Sequence, residues 1–257
     1  MSESKAMTKE KVYGRPELMP PVPMGGCPGC GHGLSGRAIV EAIEELGIGG
    51  RVILVQGVGC APGGLMAAKI DLAYQGHGPA PAVATGIKNA LLDDAIVITC
   101  QGDGDCAAIG MGYLIHAAAR AQRITVFMLN NTNYGTTGGQ LAPTTLVGQV
   151  TSTTPLGREP RMHGYPLHVP EMLAVMKGVA YSARSAVNSP ANYQRTKRYA
   201  KTALQKQIDN VGFSFLEIID TCPVNWHMEP VAAMKWIEEK VIAEFPLGEF
   251  KNVDRID

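Results

Sequence analysis

Three stretches of this chain are built for chemistry rather than for packing. The first, GGCPGCGHG over Gly25–Gly33, sets two thiols three positions apart among glycines and a proline and closes with a histidine and a glycine. Thiolates on so tightly turned a backbone suit a metal, a cluster or disulfide exchange, and a glycine-rich loop has no core to fill. The second, QGDGDCAAIG over Gln101–Gly110, lies where an apolar run ends and a helical pattern begins. Gly102 and Gly104 let the backbone approach a phosphate closely, and the first N–H groups of the helix point at it. Asp103, with Asp105 behind it, adds a carboxylate for a divalent cation. Alone, Gly-Asp-Gly is also an ordinary tight turn. The third stretch, LNNTNYGTTGGQ over Leu129–Gln140, changes the balance. Asn131 follows Asp103 by 28 positions, an interval that one helix and one strand fill, so both reach one sheet edge and form a magnesium site.

The elements that must position these residues alternate. Arg51–Gln56, Ala95–Gln101 and Arg123–Asn131 read as buried strands, with helices over Ala80–Leu92 and Asp105–Ala121 between them. Such a βαβαβ run implies right-handed crossovers, a parallel sheet covered on both faces, and ligands at the carboxyl ends of the strands. The Thr-, Gly- and Pro-rich segment from Asn131 to Pro166 reads as a functional loop lying over a site. Beyond it the pattern resumes with a helix over Val169–Gly178, a strand over Ala180–Ala186 and a helix over Pro190–Ile208 opened by the capping candidates Asn188 and Ser189. A strand over Phe213–Ile219 and a helix over Glu229–Phe245 complete it.

Bulk properties narrow the class. A chain of 257 residues with 46 % hydrophobic and 18 % charged residues is an α/β enzyme core of a single domain, neither disordered nor fibrous. Twenty-three basic residues balance 23 acidic ones, so no net field invites nucleic acid or an anionic membrane. The basic run Arg195–Lys201 reads as a solvated helix face. No apolar run reaches membrane-span length. The first 24 residues lack a secretory apolar region and read as an extended arm, with residues 25–257 as the domain. The cytoplasm is then the default, and the six cysteines read as metal ligands, catalytic groups or core filler before disulfides.

Gly-Asp-Gly followed one βα unit later by Asn-Asn resembles the diphosphate-binding motif of thiamine-diphosphate enzymes. NNTNYGTTGGQ resembles the form found in the 2-oxoacid:ferredoxin oxidoreductases. CPGCGHG, the GVGC of Gly57–Cys60 and HGPAPAVATGIK from His77 to Lys88 are similar, in order, to motifs of that family's beta subunits, the branched-chain (2-oxoisovalerate) branch fitting best. The resemblance implies a three-layer, mostly parallel thiamine-diphosphate-binding fold. It implies thiamine diphosphate held with Mg²⁺ through Asp103, Asn131 and the Asn133 carbonyl, with Gly102, Gly104, Asp105, Gly135, Thr137, Gly138, His32, Gly59 and Cys60 lining the cofactor and His77 beside the reacting centre. It also implies a [4Fe-4S] cluster on Cys27, Cys30, Cys60 and Cys222, the last in DTCPVNW. The implied reaction converts a 2-oxoacid, coenzyme A and oxidised ferredoxin to acyl-CoA, carbon dioxide and reduced ferredoxin. The branched-chain acids are favoured over 2-oxoglutarate or pyruvate, and alpha, gamma and ferredoxin-like delta subunits are partners. This chain departs from the family pattern at Ala61-Pro62, where two serines are usual, and at Pro79, where an arginine is usual.

The residues themselves leave alternatives. Cys-x-x-Cys is commonly a zinc motif, although no second such pair follows, and four cysteines could stabilise a non-enzymatic assembly subunit. A thioredoxin-type pair opens a helix after a strand, whereas this one follows a proline-rich arm. A non-oxidative thiamine decarboxylase would use the Asp and Asn pair but not four separated thiols. Cys100 and Cys106 read as core thiols, and His116, His163, His168 and His227 as structural.

Overall fold

The computed structural model describes residues 14–21, 26–91 and 94–256. Most of the expected N-terminal arm lies outside the described residues; of its 14–21 stretch, Met19 is buried and packs with the core.

A seven-stranded sheet organises the chain. In order along the sequence run α1 (His32–Glu45), β1 (Val52–Gln56), β2 (Asp71–Tyr74), α2 (Ala80–Ala90), β3 (Ile96–Gly102), α3 (Met111–Ala119) and β4 (Thr125–Asn130). A two-residue hairpin β5 (Asn133–Tyr134) and β6 (Gln140–Leu141) follows, then α4 (Pro160–His163), α5 (Val169–Ala174) and β7 (Val179–Ala186). The chain ends with α6 (Pro190–Ile208), β8 (Phe213–Ile219), α7 (Pro223–Trp226), α8 (Pro230–Trp236), α9 (Ile242–Glu244) and β9 (Gly248–Asn252). The sheet order is β2-β1-β3-β4-β8-β7-β9, parallel throughout except for β9, which pairs antiparallel with β7.

The central strands are buried along nearly their whole length and predominantly apolar, because helices cover both faces. On one face, Ile39 and Ile43 of α1 and Ala200 and Leu204 of α6 meet Leu54, Ile98, Phe127 and Leu216. On the other, Ala84 of α2, Leu114 of α3 and Leu173 of α5 meet Val55, Val97, Val126 and Phe215. The expected three-layer fold is the one observed. Cys100 and Cys106 fill these two cores from opposite faces of the sheet.

Several elements differ from the sequence reading. Helix α1 was not anticipated. Its glycine-rich entrance masks it, and its inner face includes Ser35, Gly36 and Glu41 beside its apolar residues. Gly36 is required where α1 crosses the Ala61–Gly64 turn, since a Cβ there would fall 2.3 Å from the Gly64 carbonyl oxygen. The helix expected from Asp105 begins instead as one wide π-type turn over Asp105–Ile109, and a second such turn, Ile237–Val241, interrupts the last helix. The helix expected to Gly178 stops at Ala174. The edge strands β2 and β9 went unread because they are short and only half covered. Ser189 caps α6 as expected, accepting the Asn192 N–H at 3.2 Å. The basic run on α6 is more than a solvated face: Lys197 and Lys201 reach Glu45 of α1 at 2.8 and 3.0 Å.

Candidate active site

Parallel pairing of β1, β3, β4 and β8 brings their carboxyl ends to one edge, and the polar motifs follow those ends directly. Gly57–Cys60 follows β1, Asp103 follows β3, Asn131 follows β4, and Asp220–Cys222 follows β8.

Asp103 is buried at 2 % exposure. Its Oδ1 accepts the Gly104 N–H at 2.9 Å and its Oδ2 accepts the Thr144 hydroxyl. Burial pushes its carboxyl up to about 7, against the opposing pull of Thr144, the Gly104 N–H and His32. A buried carboxylate whose charge is this costly is suited to a cation. Gly104 is needed beside it, because a Cβ there would fall 2.3 Å from the Tyr134 ring. The Tyr134 hydroxyl donates to the Gly104 carbonyl at 3.1 Å.

Asp105 works differently: its oxygens are spent on the protein. Oδ1 accepts the Gly78 N–H at 2.6 Å and faces His77 Nε2 at 3.2 Å; Oδ2 accepts from Gln101 Nε2 at 2.9 Å and from the Val58 N–H at 3.4 Å. One carboxylate thereby fixes the loops after β1, β2 and β3 together. His77, 38 % exposed, stands at the rim with Tyr134 edge-on at 6.2 Å.

The Asn131–Asn133 segment is held under strain. Thr132, a β-branched residue, takes φ 58°, a conformation costing roughly 1–3 kcal/mol. Three bonds enforce it: its N–H donates to Asn130 Oδ1 at 2.9 Å, its carbonyl accepts the Thr145 hydroxyl at 2.6 Å, and its hydroxyl accepts from Gln149 Nε2 at 2.8 Å. Asn130 is itself clamped, its amide donating to buried Glu217 at 2.5 Å, and Glu217 takes a 2.7 Å bond from the fully buried Arg184. The loop over the site is tied by Arg158, whose buried guanidinium donates to the carbonyls of Pro143, Thr145, His163, Gly164 and Tyr165.

His32 is buried between the motifs. Nδ1 lies 2.7 Å from Asp220 Oδ2, which also accepts the Ser35 hydroxyl at 2.9 Å, and Nε2 lies 3.3 Å from Asn131 Nδ2. Burial opposes the charged imidazolium, but Asp220 outweighs it and raises the His32 pKa.

Four of the six cysteines face one space, an arrangement the spacing alone could not establish. Cys27, Cys30, Cys60 and Cys222 line one cavity of about 380 Å³. The Cys27–Cys30 turn is bound to the end of β8: Gly31 N–H donates to the Thr221 carbonyl at 3.0 Å and the Thr221 hydroxyl to the Gly29 carbonyl at 2.7 Å. Gly31 permits this approach, as a Cβ there would sit 2.5 Å from Asp220 Cβ. Burial raises the Cys30 thiol to about 12, with Asp220, Cys222 and Cys60 adding to the rise and the His32 N–H opposing it. Burial also raises Cys222.

Of the expected site residues, Gly102, Asp103, Gly104, Asp105, Asn131, Asn133, Gly135, Thr137, His32, His77, Gly59 and Cys60 line the cleft. Gly138 does not; it is exposed, at φ 111°, with its N–H turned to the Gly135 carbonyl at 3.3 Å. Tyr134, Thr136, Thr144, Asn225 and Asp220 were missed. Tyr134 and Thr136 lie inside the Leu129–Gln140 motif, Asp220 and Asn225 flank Cys222 in DTCPVNW, and Thr144 falls in the long loop after Asn131. Three of the four remaining histidines have structural positions: His163 Nδ1 accepts the Glu159 N–H at 3.0 Å, His168 lies between Glu171 and Glu244, and His227 ends α7 at φ 52°; His116 is exposed on α3.

A parallel sheet with an acid and an amide at adjacent strand ends defines a diphosphate-binding α/β enzyme class. The family described as "Thiamine pyrophosphate enzyme, C-terminal TPP binding domain" matches residues 57–218. The chain is 44 % identical over 226 residues to ketoisovalerate oxidoreductase subunit VorA of Methanothermobacter thermautotrophicus, covering 88 % of this chain and 47 % of that protein. It is 33 % identical over 227 residues to 2-oxoglutarate synthase subunit KorB of Archaeoglobus fulgidus, covering 88 % of this chain and 79 % of that one. A solved 2-oxoglutarate:ferredoxin oxidoreductase from Magnetococcus marinus, with 2-oxoglutarate, coenzyme A and succinyl-CoA bound, shares the fold at a TM-score of 0.75 and 24 % identity, covering 97 % of this chain and 88 % of that chain. The chain belongs to the thiamine pyrophosphate enzymes and, within them, to the VorA and KorB type of 2-oxoacid oxidoreductase subunits. It spans about half the length of the VorA relatives. No helix among the described residues is long and apolar enough to cross a membrane.

Proposed function

We propose that this chain is the thiamine-diphosphate- and iron–sulfur-holding beta subunit of a CoA-acylating 2-oxoacid:ferredoxin oxidoreductase. It would act with alpha, gamma and ferredoxin-like delta subunits, and branched-chain 2-oxoacids are the favoured substrates. The observation that carries the reading is a shared wall: His32, Gly59, Cys60, Asn131, Gly135 and Thr136 line both the acid–amide cleft and the cysteine cavity. Thiamine diphosphate, when bound, supplies the centre at which a 2-oxoacid loses carbon dioxide, and a [4Fe-4S] cluster accepts electrons singly.

The donor sets fit these groups. Mg²⁺ on a diphosphate needs one or two protein oxygens of the kind Asp103 and Asn131 offer, with Asn133 beside them. A single zinc ion requires all its thiolates at about 2.3 Å. Among the described residues no three or more His, Cys, Asp or Glu converge closely enough to hold one ion. Four thiols spread around a cavity of about 380 Å³ suit a cluster, in which each thiolate takes a different iron. Loading would deprotonate Cys30 and Cys222, whose thiols burial now keeps neutral. His77, its ring oriented by Asp105, is the rim group we assign to the substrate side.

The 44 % identity to a ketoisovalerate oxidoreductase subunit supports the branched-chain preference. The test is a panel of 2-oxoacids offered to the complete complex with coenzyme A and a viologen acceptor, alongside metal analysis. About four irons per chain and fastest reduction with a branched-chain acid are expected. Zinc in place of iron, or decarboxylation without acceptor reduction, would sink the proposal.

A further inference from the structure

One side chain touches both the Cys222 sulfur and the Asn131–Gly135 loop. Asn225 stands on α7, half-buried in the wall of the cysteine cavity. Its amide nitrogen lies 3.4 Å from Cys222 Sγ, 3.3 Å from Asn133 Oδ1 and 3.0 Å from the Gly135 carbonyl oxygen. Two N–H bonds face three acceptors, so the amide is divided between the thiol and the cleft loop. Packing fixes it from behind: a Cβ at Gly139 would fall 2.9 Å from Asn225 Cβ. The loop it grips is the strained one that runs through Thr132. A donor aimed at a thiolate withdraws charge from the sulfur and favours the reduced, more negative state of the group bound there. Sharing that donor with the cleft loop makes its strength depend on how the loop is engaged, and the coupling must act in both directions.

Resting on the functional reading above, we infer that Asn225 is a positioning residue linking the two cavities: its amide sets the reduction potential of the group on Cys222 and makes that potential respond to filling of the cleft. The test is an anaerobic potentiometric titration of the whole complex, with and without thiamine diphosphate and Mg²⁺, for the parent, Asn225→Leu and Asn225→Ala. In the parent, cofactor should move the midpoint. Both variants should titrate at a more negative midpoint and lose most of that response. Leucine keeps the bulk and removes the donor, so agreement between the variants assigns the effect to the amide.

A parent midpoint indifferent to cofactor, or iron-loaded variants with parent-like midpoints and responses, would overturn the inference. If a variant loses its iron, calorimetry of thiamine diphosphate binding decides. Weakening by about tenfold supports the link, and parent-like affinity overturns it. A parent complex without iron sinks the functional reading as well, which metal analysis reveals before any titration.

Discussion

In the cleft, Asp103, Asp105 and Asn131 are 2 to 4 % exposed and hydrogen-bonded to the chain itself, down to a strained threonine held by three bonds. Across the shared wall, Cys27 and Cys60 are exposed and Cys30 and Cys222 half-buried, on short loops gathered from the start, the first third and the end of the sequence. The cleft is thus preorganised by the polypeptide around a buried carboxylate, whose charge the proposed cation would offset. The cysteine cavity is walled by four thiols on separate loops, and in the proposed reading a bound cluster would draw them together. Preorganisation of this kind favours a cofactor that exchanges; dependence on the bound group favours one that is built in and stays.

The sharpest way to break the comparison is Asp103→Ala. It should cost at least about 100-fold in thiamine diphosphate and Mg²⁺ affinity while leaving iron content intact, because the two sites draw on different ligands. Calorimetry beside iron analysis measures both; iron lost in parallel would mean that the cavities do not stand independently. Cys222→Ala is the converse. It should lose most of the iron and the 2-oxoacid oxidation, whereas Cys100→Ala, in the core, keeps both. Full iron content in Cys222→Ala would remove the cluster assignment.

A smaller effect follows from the Asp103 carboxyl. Its folded value, about 7, lies above that of an unfolded aspartate, so the folded state binds this proton more tightly. The stabilisation is complete below the unfolded value, near 4, and is lost as pH rises through about 7. Cofactor-free Asp103→Asn should therefore melt above the parent at pH 8, with the gap narrowing toward pH 4. Each kcal/mol recovered appears as about 2–4 °C in a chain of this size. A gap that does not vary with pH would contradict the buried-charge account. The smallest effect serves as a control at a residue that lines neither cavity: Ser189→Ala removes the α6 cap and should cost about 1 kcal/mol in denaturant melts, with cofactor affinity and iron unchanged.

The ends of β1, β3, β4 and β8 were legible because strands buried on both faces are predominantly apolar runs, and the glycine-rich and polar motifs begin where those runs stop. Helix α1 was not legible, since its inner face mixes Ser35, Gly36 and Glu41 with apolar residues and only the crossing of Gly36 over Gly64 explains the choice. Thr144, Asp220 and Asn225 lay inside stretches singled out for their loop or their cysteine, but their own roles were not legible because they rest on contacts with residues far away in sequence. The sequence by itself determined the kinds of chemistry present: which residues offer thiols, which a carboxylate, and which loops are glycine-rich enough to approach a phosphate. The tertiary structure decided their company. Whether Cys222 meets Cys27, and whether Asn225 stands between a thiol and the cleft, depends on β8 pairing with β4 rather than with another neighbour. Strand order is set by the packing of helices on both faces of the sheet, a sum over the whole core that no single stretch of sequence contains.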